Sequence, residues 1–269
     1  MSLSPPLLCE LHAHSTWSDG ALTIPELVDL YGSSGFDVLC VTDHANRSDD
    51  PWLTPRERRL LGVNERSLAA YLAQIDCEAE RAREQYGLLL MPGVELSYND
   101  VDPLLAAHAV AVGLRSCVSL DGGIDEAIRI AREEGAAIIA AHPYRPGTGP
   151  VHPRTTQYLA ANWERLAPLV DRWELWNREA PFPWVADAGL PAVASGDFHR
   201  PEHLWGWKTL LPCSREERAV VGALRSQARF HLARVRPAGP QVPAEDGLAA
   251  RTGAGAGAAP APARETAAA

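Results

Sequence analysis

The chain contains no apolar run approaching the roughly 20 residues that span a bilayer. Its first eight residues are too short and uncharged for a secretory leader. Both absences point to a cytoplasmic protein without membrane contact. Thiol chemistry is also missing. The five cysteines, Cys9, Cys40, Cys77, Cys117 and Cys213, are widely spaced, odd in number and never form a CxxC pair. That excludes a disulfide framework and a thiolate metal site, and Cys9 and Cys40 read as small buried thiols in apolar runs. Positive charge is in deficit, with 25 Lys and Arg against 34 Asp and Glu and a formal net charge of −9. A broad basic face for gripping duplex nucleic acid is therefore not expected. A small phosphorylated substrate, a nucleotide or a strand end remains compatible, because bound divalent cations make a pocket locally positive. No internal repeat is apparent.

What is present is a sizeable apolar fraction, 46% of 269 residues, with eight tryptophans. Seven short apolar runs read as buried strands: Leu7–His12, Asp37–Thr42, Leu88–Leu96, Ala107–Val112, Ala136–Ala141, Arg172–Trp176 and Leu190–Ala194. Helical patterns lie between several of them. Thr23 suits an N-cap before Ile24 and Pro25. Ser67–Tyr86 places Leu68, Leu72, Ile75, Ala79 and Ala82 on one stripe, and Ile124–Glu134 and Arg215–Gln227 look similar. Such alternation predicts an α/β protein, a distorted (β/α)7 barrel over residues 1–236 with its site at the carboxyl ends of the strands. Residues 46–86 read as a loop-and-helix insertion whose polar part, Asn46–Gly62, is a surface loop or lid. From 237 to 269 the composition turns to Pro, Ala and Gly, which cannot bury enough surface to order itself, so a disordered tail is expected.

The chemistry sits where these runs end. His12 and His14 are two apart on a strand and share a face. Asp19 follows in a Ser-Asp-Gly turn. Val38–Val41 delivers Thr42, Asp43 and His44 to a strand end, with His44 as a ligand candidate and Asp43 as an orienting carboxylate, a proton shuttle or a loop cap. Glu95 interrupts an apolar strand, where an ionised carboxylate is costly unless it is paired or bound to metal; its two oxygens suit it to bridge two ions. His108 lies inside an apolar strand, a place where a lone histidine is ordinarily a satisfied core residue. His142 ends another strand before Pro143. Asp197 and His199 stand two apart after a further strand, with Gly196 permitting close backbone approach. Imidazoles and carboxylates without thiolate suit Zn, Mn or Fe, and nine ligands are about right for three divalent ions. Arg145 and Arg200, just past these motifs, are placed to bind phosphate oxygens. Trp173, Trp176 and Trp184 read as packing residues, and Trp205 and Trp207 as a candidate pocket wall.

Taken together, HAHSTWSDG at 12–20, TDH at 42–44, GVELS at 93–97, AHP at 141–143 and GDFH at 196–199 resemble the successive motifs of the polymerase-and-histidinol-phosphatase (PHP) family. The resemblance runs from Leu7 to about Leu210. It implies a distorted seven-stranded barrel with a trinuclear centre. His12, His14, Glu95 and Asp197 would hold one ion, Glu95 would bridge to a second bound by His108 and His142, and Asp19, His44 and His199 would hold the third. It further implies phosphomonoester or phosphodiester hydrolysis by a metal-activated hydroxide. The stretch between His44 and Glu95 is longer than in many compact relatives. Two rivals stand beside this reading. One is an amidohydrolase cleaving C–N bonds, which also opens with HxH but usually bridges its ions through a lysine; lysines are few here and Lys208 is far from any such motif. The other is a non-catalytic, metal-stabilised regulatory module.

Overall fold

A computed structural model describes residues 5–147, 155–237 and 263–268. Among them the strands are β1 (Leu7–Ala13), β2 (Val38–Val41), β3 (His44–Asn46), β4 (Leu89–Tyr98), β5 (Ala107–Val112), β6 (Ala137–Ala140), β7 (Arg172–Asn177), β8 (Ala180–Pro181), β9 (Ala192–Ser195), β10 (Gly206–Leu211), β11 (His231–Arg236) and β12 (Ala263–Ala268). The helices are α1 (Ile24–Ser33), α2 (Glu57–Leu60), α3 (Leu68–Tyr86), α4 (Ile124–Glu133), α5 (Tyr158–Ala161), α6 (Trp163–Leu166), α7 (Pro183–Asp187) and α8 (Glu217–Arg225). None of the helices is long and apolar enough to cross a membrane.

All strands join one path, β12-β11-β10-β1-β2-β4-β5-β6-β7-β8, with β3 on β4 and β9 on β7. The seven expected runs appear as β1, β2, β4, β5, β6, β7 and β9. Their directions differ from expectation. β5 runs antiparallel to both β4 and β6, because only a short link joins β4 to β5 and a parallel return needs a long crossover. β10 and β11 are antiparallel additions beside β1. The fold is therefore mixed α/β with a curled half-barrel sheet, and the all-parallel alternation does not hold. The curl brings the chain after β9 back to β1, where His14 N–H donates to Phe198 O at 2.8 Å and Phe198 N–H to His12 O at 3.1 Å.

Local chemistry explains the helices that back this sheet. Thr23 caps α1 in a reciprocal box with Glu26, whose carboxylate accepts the Thr23 N–H at 2.8 Å. α3 buries Tyr71, Ile75 and Ala82. The Tyr71 hydroxyl lies 2.9 Å from Val41 O and 3.1 Å from Gly93 O, pinning α3 across β2 and β4. Trp173 is fully buried in the core and Trp184 nearly so, while Trp176 stacks on Trp207 with ring centroids 5.1 Å apart. The expected disordered tail lies mostly outside the described residues. Its residues 263–268 form β12, paired antiparallel with β11. An open sheet edge can be completed by backbone alone, without large side chains.

Arg172 is the largest charged group in the interior. It is fully buried, and its guanidinium donates to the carbonyls of Leu224 and Ala228 at 2.8 Å and of Ser226 at 2.6 Å, closing the end of α8. It also lies 3.9 Å from the Phe230 ring centroid. Arg172→Met should destabilise the protein by about 2–4 kcal/mol, since several buried carbonyls lose a charged donor. Urea unfolding of the variant measures this, and an unchanged midpoint would refute the role.

Candidate metal centre

Strand geometry gathers the polar residues. Along β1 the side chains of Glu10 and His12 share one face, and His14 continues it just past the strand; all three are fully buried. Glu95, also fully buried, enters the same space from β4. Its Oε1 lies 3.3 Å from His12 Nε2, 3.0 Å from His108 Nδ1 and 3.3 Å from His142 Nε2. Its Oε2 lies 3.5 Å from His14 Nε2 and 2.6 Å from His44 Nδ1. One carboxylate thus faces five imidazoles, with a different set on each oxygen. Asp197 Oδ1 lies 3.6 Å from the Nε2 atoms of His12 and His14 and 3.3 Å from His199 Nδ1. Asp19 Oδ1 is 3.4 Å from His44 Nε2 and 3.3 Å from His199 Nε2. All nine candidate ligands therefore meet in one cluster. The direction of β5 accounts for His108: it is the second residue of an antiparallel strand, so a histidine at the strand's start reaches the end of the sheet where its neighbours finish.

Electrostatics favours cation binding. Burial works to raise the Glu95 carboxyl, but the charges of His108, His44 and His12 hold it well below the usual range. Asp197 is likewise held low, with burial opposed by His12 and His14. His14 is pushed down to about 3, chiefly by burial and then by His44, so its ring is neutral and carries a lone pair. The Nε2 atoms of His12 and His14 are buried without a hydrogen-bond partner, a condition that ordinarily costs free energy. Both face ionised carboxylates at 3.3–3.6 Å. Four ligands about 2.1 Å from a tetrahedral cation stand roughly 3.4 Å from one another. The donor set and its spacing fit divalent ions. Three groups have ligand atoms all within 4.8 Å of one another: His14, Asp19, His44 and His199; His12, His14 and Glu95; and His44, Glu95 and His108.

Two important groups escaped sequence reading. Glu174 of β7 is fully buried. Its Oε1 is 3.1 Å from His12 Nδ1 and also accepts from Ser195 Oγ. Its Oε2 accepts the His142 N–H at 2.6 Å and Asn177 Nδ2 at 2.8 Å. It orients two candidate ligands at once, and the rule that singled out Glu95, a carboxylate interrupting an apolar strand, would have found it. Arg178, in the tight turn between β7 and β8, donates to Asp197 Oδ2 at 2.9 Å and Asp197 O at 2.8 Å. No pattern in the sequence marks it. His142, Arg178 and Asp197 are the non-glycine residues with positive φ (30°, 56° and 42°) among the described residues, and all three line one open cavity of ≈440 Å³ with Tyr144 and Asn177. Sparsely populated backbone of this kind concentrates at functional sites.

Other candidates fall elsewhere. The described hydrogen bonds of Asp43 include no imidazole. It is a loop cap: Oδ1 accepts Ser15 N at 2.9 Å, Ser18 N at 3.0 Å and Ser18 Oγ at 2.6 Å, while Oδ2 accepts Ser15 Oγ at 2.7 Å. It thereby fixes the loop between His14 and Asp19. Arg145 and Arg200 are exposed, and Arg200 Nε donates to His203 Nε2 at 3.2 Å. Arg178 stands against the candidate ligand Asp197. Lys208 is fully buried and pairs with Glu10 at 3.1 Å.

The PHP domain family model matches residues 10–173. The fold is similar to a two-domain protein from Bacteroides vulgatus that contains a predicted PHP-like metal-dependent phosphoesterase, with a TM-score of 0.53 and 16% identity over 87% of this chain and 78% of that one. A protein assigned as a metal-dependent phosphoesterase from Bifidobacterium adolescentis matches with a TM-score of 0.44 and 18% identity over 73% of this chain and 89% of that one. Endonuclease Q, in complex with a 27-mer duplex carrying an abasic lesion, matches with a TM-score of 0.43 and 14% identity over 86% of this chain and 53% of that one. No curated protein matches significantly.

Removing the Asp43 carboxylate takes the acceptor from the Ser15 N–H and from the Ser15 and Ser18 hydroxyls, while the Ser18 N–H keeps Ser15 O at 3.1 Å. Asp43→Ala should cost about 2–4 kcal/mol, read as a lowered denaturation midpoint; wild-type stability would contradict the capping role.

Proposed function

The chain belongs to the PHP domain family, and from that premise we propose that it is a metal-dependent phosphoesterase acting at a multinuclear centre. The observation that carries this reading is the pair of buried, unpartnered nitrogens, His12 Nε2 and His14 Nε2, facing the oxygens of Glu95 and Asp197. His12, His14, Glu95 and Asp197 would hold one ion, Glu95, His108 and His142 a second, and Asp19, His44 and His199 a third. The two oxygens of Glu95, each turned to a different set of imidazoles, support its bridging role. Donors of this type suit Zn, Mn or Fe. Divalent ions bound there would neutralise phosphoryl oxygens and lower the pKa of water.

The chain's own groups supply the rest. Glu174 holds the rings of His12 and the backbone of His142 in place, so the ligands need not reorganise on loading. Arg178 brings a guanidinium to the cavity beside His142, Tyr144 and Asp197. A planar fork of donors there matches the non-bridging oxygens of a phosphate, placing the scissile ester between Arg178 and the carboxylates. Phosphate charge is spread over those oxygens in the transition state, so a fixed cation needs no reorganisation as the ester breaks. The placement of Glu95 and of Lys208 disfavours the amidohydrolase reading.

Two variants test the proposal. Glu95→Ala should lose metal and hydrolysis of p-nitrophenyl phosphate and bis(p-nitrophenyl) phosphate together; wild-type metal content by elemental analysis would overturn the bridging role. Arg178→Met should retain metal while the KM for these esters rises by about tenfold or more, as for loss of a charged hydrogen bond of about 1.5–3 kcal/mol. An unchanged KM would remove Arg178 from substrate binding.

A further inference from the structure

Two of the rings around Glu95 are anchored through Nδ1 and turn Nε2 to the carboxylate. His12 Nδ1 lies 3.1 Å from Glu174 Oε1 and His142 Nδ1 lies 3.0 Å from Thr156 Oγ1, while each Nε2 is 3.3 Å from Glu95 Oε1. His108 is turned the opposite way. Its Nδ1 lies 3.0 Å from Glu95 Oε1 and its Nε2 lies 3.0 Å from Asn99 Oδ1. Behind Asn99 stands Asp50, from the polar segment between β3 and α2. It is fully buried. Its Oδ1 accepts the Trp52 N–H and its Oδ2 accepts from Asn99 Nδ2, both at 2.8 Å. Arg47 of the same segment donates to Asn99 O at 3.1 Å, so Asn99 is held by its side chain and by its backbone.

These contacts have a fixed polarity. A carboxylate that accepts on both oxygens has no donor to offer, so the Asn99 amide turns its NH2 to Asp50 and its oxygen to His108. That oxygen requires a hydrogen on His108 Nε2. An imidazole that binds a cation is neutral and carries a single N–H. With that hydrogen on Nε2, the lone pair sits on Nδ1, the nitrogen that faces Glu95. The hydrogen bond made by one ring nitrogen thus selects the nitrogen left for the metal. For His12 the selecting carboxylate touches the ring directly. For His108 it stands one amide further back.

We propose that Asp50 is a positioning residue that acts through Asn99 to hold His108 as the Nε2–H tautomer, so that this ring takes a divalent cation through Nδ1. The inference rests on the metal-centre reading above and adds a residue to it. The segment Asn46–Gly62 is then more than a surface loop, because it supplies the group on which the chemistry of one ligand depends. A turn cap for the Trp52 N–H accounts for one oxygen of Asp50 but is indifferent to which way the Asn99 amide points. Polarity therefore separates the two roles, and it can be reversed without changing shape. In Asp50→Asn the new side chain keeps the Trp52 N–H on its oxygen and presents its NH2 to Asn99. The Asn99 amide turns over, its NH2 meets His108 Nε2, and the ring hydrogen moves to Nδ1. Adding Asn99→Asp restores an acceptor to both neighbours of position 99 and returns the hydrogen to Nε2.

The test compares the full-length wild type with the D50N and D50N/N99D variants. Long-range ¹H–¹⁵N correlation spectra of histidine-labelled protein, metal-free and zinc-loaded at alkaline pH, report which ring nitrogen carries hydrogen, with His108 assigned by difference from His108→Gln. Zinc affinity is measured by competition with a chromophoric chelator. Wild type should show His108 as the Nε2–H form. D50N should show the Nδ1–H form without metal and bind zinc at one site about 10–100-fold more weakly, the usual cost of losing a group that orients a ligand. D50N/N99D should recover both the tautomer and the affinity. A wild-type Nδ1–H form, wild-type zinc affinity in D50N, or a double variant as weak as the single one would overturn the proposal. So would a lowered urea midpoint in D50N with an unaltered tautomer, the mark of a merely structural Asp50. Should D50N fail to fold, the wild-type spectrum and the double variant still decide. Loaded wild type that hydrolyses neither p-nitrophenyl ester would sink the phosphoesterase reading alone, since spectra and zinc titrations judge the role of Asp50 separately.

Discussion

A buried carboxylate surrounded by imidazoles is the constraint on which this structure turns. Glu95 is fully buried, and isolation of such a charge in the interior would be prohibitive. Five histidine rings converge on it, His12 from β1, His14 just past β1, His44 from β3, His108 from β5 and His142 just past β6, and the charges of His108, His44 and His12 hold it ionised against its burial. Each ring is in turn fixed by something else: His12 by Glu174 at 3.1 Å, His14 by Ser18 at 3.4 Å, His44 by Ser97 at 2.6 Å, His108 by Asn99 at 3.0 Å and His142 by Thr156 at 3.0 Å. The cluster is therefore rigid before any cation arrives, a property that lowers the cost of binding one.

The same principle extends outward in layers. Glu10 accepts the Gly196 N–H at 2.7 Å and pairs with Lys208 at 3.1 Å, and the Tyr31 hydroxyl donates to it at 3.1 Å. A Cβ at position 196 would stand 2.2 Å from that carboxylate, which is why glycine precedes Asp197. Asp43 does for the loop after His14 what Glu10 does for the turn before Asp197. Buried acids with several donors thus hold the irregular segments at one end of the sheet, where unpaired backbone would otherwise be mobile. The left-handed backbone at His142, Arg178 and Asp197 persists because this network over-determines it.

Much of the centre was legible in the chain. HxH alternation, carboxylates at strand ends and a lone Glu in an apolar strand are local signatures, since strand periodicity decides which side chains share a face. Glu174 obeys the same rule as Glu95, but its strand carries Trp173 and Trp176, whose bulk marks the segment as packing rather than as a site. Asp43 was ambiguous in sequence: a carboxylate beside a ligand serves a ring or a loop equally well, and only the positions of Ser15 and Ser18 decide for the loop. Arg145 and Arg200 stand out in the sequence by proximity to the motifs, a relation along the chain and not in space. Arg178 was invisible because its nearness to Asp197 arises from the pairing of β7 with β9.

By itself, the order of residues determined the candidate ligand types, their places near strand ends, the seven central strands and the family, because periodicity and residue chemistry are short-range properties. Strand direction, the antiparallel β5 and the added β10 and β11, the meeting of β9 with β1, and the choice of arginine beside the cluster were settled only by tertiary structure. Those outcomes depend on how strands compete for hydrogen-bonding edges and how buried charges find partners far away in the chain, and neither is encoded in any local window.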